Sequence, residues 1–332
     1  MGRCVVSRTA LVAGTVAILA AIMLPLFAAA QRPAQVRRIA ILRLGFPPSP
    51  AAPTPGRDAF QHALRDRGWI EGHNLAIETR WAEENLQRAA ALVTEMIGLR
   101  VELMMVENRT MASIAHKATT TIPIVVAGGN LIGSDLIASP ARPGRNVTGI
   151  STFSPELIPK RLELFKQTLP GVTRVAVLRG LAWQTLPAME EVTRSLGMEL
   201  RLFEVRDPAA FQGSFAAMTR AQIQAVFVLT DPFFAPHSQR IADLALQHHL
   251  PSNCEGRHFV EAGCLMSYSA IVPDLQQHLA AYVDKILRGA KPADLPVEQP
   301  TKFELVINLR TAKALGLTIP PSVLGRADQI IE

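Results

Sequence analysis

One short motif occurs twice in this chain, and the repetition constrains the fold more than any other feature. Arg38-Ile39-Ala40-Ile41-Leu42-Arg43 returns as Arg174-Val175-Ala176-Val177-Leu178-Arg179. Each is an apolar run rich in β-branched residues, the pattern of a parallel strand buried on both faces. The segments behind each copy correspond as well. In the first half a helix is expected over 57–67, ending at Gly68, then a strand over 75–80, a helix over 85–97, a strand over 101–106, a helix over 111–118 and a strand over 122–127. In the second half the order is a helix over 186–196 ending at Gly197, a strand over 199–205, a helix over 209–221, a strand over 225–229, a helix over 237–248 and a short strand over 250–255. Both halves read β-α-β-α-β-α-β, which specifies parallel sheets with helices on both faces.

The fold class expected is therefore α/β, with two doubly wound parallel-sheet lobes. The remaining segments are a strand over 264–268, a helix over 274–288, a proline-punctuated linker over 291–300, a strand over 304–309, a helical start over 311–315 and a final turn at Pro320-Pro321. That tail has the material to cross to the first lobe and return, which makes a multi-strand hinge. The boundaries expected are 1–30 for a signal peptide, 36–150 plus 272–298 for lobe 1, and 151–271 plus 299–332 for lobe 2.

The first thirty residues carry the features of an export signal. Arg3 and Arg8 precede an uncharged run from Thr9 to Ala30, and Ala28-Ala29-Ala30 supplies the small residues before a cleavage site. Pro25 and the alanine ending favour cleavage over an uncleaved anchor, and Cys4 lies before the apolar run, so it is not a lipid-acceptor cysteine. A periplasmic location follows. Cleavage leaves Cys254 and Cys264, which can pair in an oxidising compartment or stay as buried free thiols.

Charge excludes one class of partner. Losing the two signal arginines takes the formal net charge from +6 to +4, and the lysines and arginines are scattered without interleaved aromatics. A nucleic-acid partner is not expected. Catalytic and cofactor motifs are missing too: there is no phosphate-binding loop, Gly128-Gly129-Asn130 lacks the rest of a dinucleotide fingerprint, and Gly149 to Phe153 lacks the second glycine of a nucleophile elbow. His248-His249 point about 100° apart on a helix and make a poor metal chelate. The expectation is a binding protein that is not an enzyme and carries no cofactor or metal.

Parallel sheets bind ligands beyond the carboxyl ends of their strands. In the first lobe that rule selects Phe46 and Ser49 after the first strand, Glu107, Asn108 and Thr110 after the third, and Gly129 and Asn130 after the fourth. In the second it selects Trp183, Asp231, Phe233, Glu255 and Arg257. Thr110 can cap the following helix, either as an ordinary cap or beside a ligand carboxylate. Asp231 stands before Pro232, either as a turn residue or as the holder of a ligand ammonium. Trp183 and Phe233 can stack on an apolar ligand body or pack the core. Glu107, Arg109, Glu255 and Arg257 place both signs of charge at one opening, which suits a zwitterion such as an amino acid.

Several stretches carry a family resemblance: Arg80-Trp81-Ala82-Glu83, Ala118 to Val125, Arg142-Pro143-Gly144-Arg145-Asn146-Val147-Thr148-Gly149, Lys160-Arg161-Leu162-Glu163-Leu164, Gly263 to Tyr268, Gly289 to Val297, and the tail from Gln299 through Leu309 to Ile319-Pro320-Pro321-Ser322. The chain resembles the ABC-transporter substrate-binding protein family with a periplasmic-binding type I fold. The resemblance implies a two-lobe fold, export, and delivery of a small molecule to an ABC permease driven by a separate ATPase; a monomer is expected. It also implies an amino-acid ligand, aromatic in some members. A sensory protein reporting to a membrane receptor without transport is the alternative. Three departures stand out: prolines at 47, 48 and 50, Gly180-Leu181-Ala182 in place of an Asn-Pro type loop, and Cys254 and Cys264 where an aromatic residue and a glycine are usual.

Overall fold

The computed structural model describes residues 36–47, 55–152, 157–180, 187–229, 231 and 233–332. The expected signal segment, Ser49 and Trp183 lie outside the described residues.

The first lobe comprises β1 (Arg37–Arg43), α1 (Pro55–Asp66), β2 (Leu75–Trp81), α2 (Leu86–Gly98), β3 (Leu103–Val106), α3 (Arg109–Ala118), β4 (Ile124–Val126) and β5 (Val147–Gly149). Its sheet runs β2-β1-β3-β4-β5, and every pair is parallel. Alternation along the strands explains why they read as continuous apolar runs. Ile39, Leu103 and Met105 face one core with Phe60 and Leu64 of α1; Ala40, Leu42, Met104 and Val106 face the other with Val93 and Met96 of α2 and Met111 of α3.

The second lobe follows with α4 (Leu157–Thr168), β6 (Arg174–Arg179), α5 (Pro187–Ser195), β7 (Glu199–Glu204), α6 (Ala210–Arg220), β8 (Ala225–Val228), α7 (Ser238–Gln247), β9 (Ser252–Asn253), α8 (Arg257–Glu261) and β10 (Met266–Ala270). After α9 (Val272–Leu287) come β11 (Phe303–Asn308), α10 (Leu309–Ala314), α11 (Pro321–Leu324) and β12 (Gln329–Ile331). This sheet runs β12-β11-β10-β9-β8-β6-β7, antiparallel only between β10 and β11. The order β7-β6-β8-β9 repeats β2-β1-β3-β4 of the first sheet, so the two copies of the motif occupy equivalent central positions.

The tail does cross over. Leu279, Ala280, Tyr282 and Val283 of α9 complete the core shared by α1 and the first sheet, and Trp69 Nε1 donates to Asp284 at 2.8 Å. Ile150 then bridges Glu298, Ser151 N donates to Glu298 O at 2.8 Å, and Ile271 N to Lys302 O at 3.2 Å. Gly149 makes the first crossing possible: at φ 136° it lies against the backbone of Val126, where a side chain would collide.

Five elements go beyond expectation. β5, α4 and α8 occupy stretches to which the sequence assigned no helix or strand, and the final turn is α11 followed by a short strand, β12, pairing with β11. The two cysteines are bonded: Cys254 and Cys264, with Cα atoms 6.5 Å apart, close the loop that contains α8.

Candidate functional site

In both sheets the strand order reverses beside the repeated motif, between β1 and β3 and again between β6 and β8. The crevice at such a point, beyond the carboxyl ends, is where open α/β sheets bind ligands. Each crevice holds one carboxylate. In lobe 1 Glu107, just after β3, reaches across to β1: its Oε2 accepts Leu44 N at 2.9 Å, and Oε1 stands 3.5 Å from Arg43 Nη1. In lobe 2 Asp231 follows β8 and reaches towards β6. Its Oδ1 accepts Phe233 N at 3.0 Å, and its carboxylate occupies the space a side chain at Gly180 would need. Asp231 is 5% exposed.

A third carboxylate joins them. Glu84 sits in the tight turn between β2 and α2, where Asn85 N donates to Ala82 O at 3.0 Å. Both central residues are left-handed, Glu83 at φ 52° and Glu84 at φ 61°. This sign pattern belongs to a type I′ turn, which favours asparagine and glycine; two glutamates there cost about 1–2 kcal/mol each. The strain is offset by Glu84 N donating to Leu44 O at 2.7 Å, Glu83 N to Gly45 O at 3.1 Å, and by Asn85, whose side chain caps α2 at Arg88 N. The turn holds Glu84 against the β1–β3 crevice. Burial, then Asp231, then Glu107 push its carboxyl up from the ordinary 4.5 to about 7, and its Oε1 is buried without a hydrogen bond. Since Asp231 belongs to the second lobe, the carboxylates face one another across the gap between lobes. Among the described residues no three His, Cys, Asp or Glu side chains are placed to chelate a metal, so the three act at electrostatic range.

The other expected residues are placed as follows. Phe46 is 41% exposed after β1. Asn108, not Thr110, caps α3: its side chain accepts Met111 N at 3.0 Å, while Thr110 lies exposed in the first turn. The asparagine carries the cap because it holds the extended conformation just before the helix, whereas Thr110 is already helical. Gly129, at φ 81°, and Asn130 form the turn after β4, pinned by Gly129 N to Thr152 Oγ1 at 2.9 Å. Phe233 does not face the crevice: it is 4% exposed and stacks on Phe211 at 5.6 Å within the core of lobe 2. Glu255 bonds to Arg161 at 2.6 Å, and Arg257 pairs with Glu261 of its own helix at 2.8 Å, half exposed at the rim.

Sequence reasoning did not select Glu84 or Arg161. The only local signal for Glu84 was a very short connection between a strand and an N-capped helix.

Comparison with known proteins agrees with this architecture. The family described as ABC transporter substrate binding protein matches residues 51–331. A tyrosine-binding protein of Clostridioides difficile (strain R20291) is 21% identical over 266 residues, covering 79% of this chain and 76% of that protein. Among solved structures, a conserved domain protein from Vibrio cholerae superposes with a TM-score of 0.79 at 26% identity, covering 89% of this chain and all of that one. An ABC domain from Streptococcus pneumonia in complex with L-Trp gives 0.77 at 23% identity, covering 90% of this chain and all of the other. The fold is that of the type I periplasmic binding proteins, with two parallel-sheet lobes and several chain segments crossing between them. The chain belongs to the ABC transporter substrate-binding protein family.

Proposed function

We propose that this protein captures an amino-acid-like solute between its lobes outside the cytoplasmic membrane and delivers it to an ABC permease powered by a separate ATPase. One observation carries the reading: Glu84 and Glu107 from lobe 1 and Asp231 from lobe 2 crowd one interlobe crevice, and burial and mutual repulsion hold the Glu84 proton on. Like charges across a gap oppose closure, and a ligand ammonium between them reverses the sign of that interaction. Such a ligand favours the closed arrangement because it makes contacts there that the open one lacks. The tyrosine and tryptophan named for two relatives support the same class of ligand.

The lobes are assigned to 36–150 with 272–298 and to 151–271 with 299–332, in accord with the α9 packing and the Ile150–Glu298 bridge. A cleaved signal over 1–30, a periplasmic location and a monomeric state complete the assignment; no nucleic acid takes part. The test is calorimetric titration of the mature protein with the amino acids, then with sugars and purines. Binding of an amino acid that weakens in Asp231→Asn is expected; binding of sugars or purines alone would overturn the reading.

A further inference from the structure

Among the described residues only two charged side chains are buried, Asp231 and Arg161, each 5% exposed, and both belong to lobe 2. A buried ion is retained only where partners compensate its lost hydration. Arg161 projects from α4, the first helix after the chain enters lobe 2. Its Nε donates to Tyr268 O at 2.7 Å and its Nη2 to Glu255 Oε1 at 2.6 Å. These bonds fix the guanidinium plane. They leave Nη1, with two donor hydrogens, without a hydrogen-bond acceptor among the described residues.

The sheet order relates the two ions. Asp231 follows β8, Glu255 follows β9, Tyr268 lies on β10, and β9 runs between the other two. Strands lie about 4.8 Å apart, so the buried anion and the buried cation stand roughly 5–10 Å from each other along the carboxyl edge. An amino-acid head group with a charge-assisted hydrogen bond at each end spans about 8 Å. The other arginines at the carboxyl edges are more exposed and each stands beside an acidic residue of its own lobe: the side chains of Arg43, Arg109, Arg179 and Arg257 are 41%, 51%, 25% and 45% exposed.

We propose that Arg161 binds the carboxylate of the ligand through Nη1 while Asp231 holds its ammonium, so that lobe 2 alone binds the head group. The assignment rests on the amino-acid reading above. Glu255 is then a positioning residue: it orients the guanidinium of Arg161. Lobe 1, with Glu84 and Glu107, adds to the ammonium end on closure.

Arg161→Met alone strands Glu255 as an unpaired, partly buried charge, so the informative variant is Arg161→Met with Glu255→Met, which removes the pair together. Both proteins are titrated with L-tryptophan, L-tyrosine, tryptamine and indole-3-propionate, with circular dichroism confirming the fold. The wild type is expected to bind an amino acid more tightly than the amine. The double variant is expected to lose about 10- to 150-fold in affinity for the amino acid and little for tryptamine. A folded double variant that binds the amino acid as the wild type does overturns the Arg161 assignment and leaves the amino-acid reading standing. Wild-type binding of indole-3-propionate alone, lost in the double variant, keeps the Arg161 assignment and overturns the amino-acid reading. A wild type that binds none of the four overturns both.

Discussion

Replacing Glu84 by glutamine removes a titrating proton from the crevice while keeping the side chain's size. In the unfolded chain the Glu84 carboxyl titrates at its ordinary 4.5, and in the folded protein at about 7. The folded state therefore holds the proton over a range in which the unfolded state has lost it. Linkage then makes wild-type stability fall as pH rises from about 4.5 to about 7 and stay level on either side. The gap between the two values corresponds to roughly 3 kcal/mol. Glu84 is only half buried, so solvent screening cuts this to about 1.5 kcal/mol. At about 2 °C per kcal/mol for a chain of this size, the wild type should lose about 3 °C of melting midpoint relative to Glu84→Gln between pH 4.5 and pH 8. Parallel thermal melts of the two proteins in matched-ionic-strength buffers measure it. A midpoint difference constant with pH refutes the argument, and a wild type that gains on the variant across the window shows Glu84 ionised and paired. Saturating amino acid should move the window to lower pH, because an ammonium favours the carboxylate.

Three further outcomes are expected. Gly180→Ala places a methyl group in the space of the Asp231 carboxylate and should weaken amino-acid binding by about 10- to 150-fold in calorimetric titration; unchanged affinity would show that Asp231 does not touch the ligand. Phe233→Ala should cost about 3–5 kcal/mol in a denaturant melt and leave ligand selectivity intact, since its ring packs on Phe211; altered selectivity with full stability would return the ring to the crevice. The disulfide closes a loop with a sequence separation of 10, so Cys254→Ala with Cys264→Ala should lose about 3 kcal/mol, or about 6 °C of melting midpoint. An unshifted midpoint together with two titratable thiols in unreduced wild type would show that the bond does not form.

The central strands were legible in the sequence because a parallel strand buried on both faces leaves an uninterrupted apolar run. β6 falls on Arg174–Arg179 as the repeat indicates. β5 and β12 were not, since three residues each carry too little pattern to separate a strand from a loop. α4 was hidden by Pro159 and by Lys160-Arg161, which break the apolar periodicity at its start, and Arg161 is buried all the same. The site divides in the same way. Topology alone pointed to Glu107 and Asp231, because the carboxyl ends of β3 and β8 follow from the strand order. Glu84 follows an edge strand outside the reversal point, and only the folded turn brings it in. Phe233 shows the limit of composition: a phenylalanine after a proline has the same sequence appearance whether it lines a crevice or fills a core.

The cover of the first sheet by α9 bears on how such a chain is made. Trp69 and its partner Asp284 are separated by 215 residues, and the apolar side of β1, β3 and α1 stays bare until α9 has been synthesised. Ribosomal emergence therefore exposes lobe 1 as an incomplete body for most of translation, so its native packing is delayed until nearly the whole polypeptide exists. For the export proposed above, that delay leaves the core of lobe 1 open while the chain is still being made. The same chain order that splits the lobe makes native closure of its first core come late.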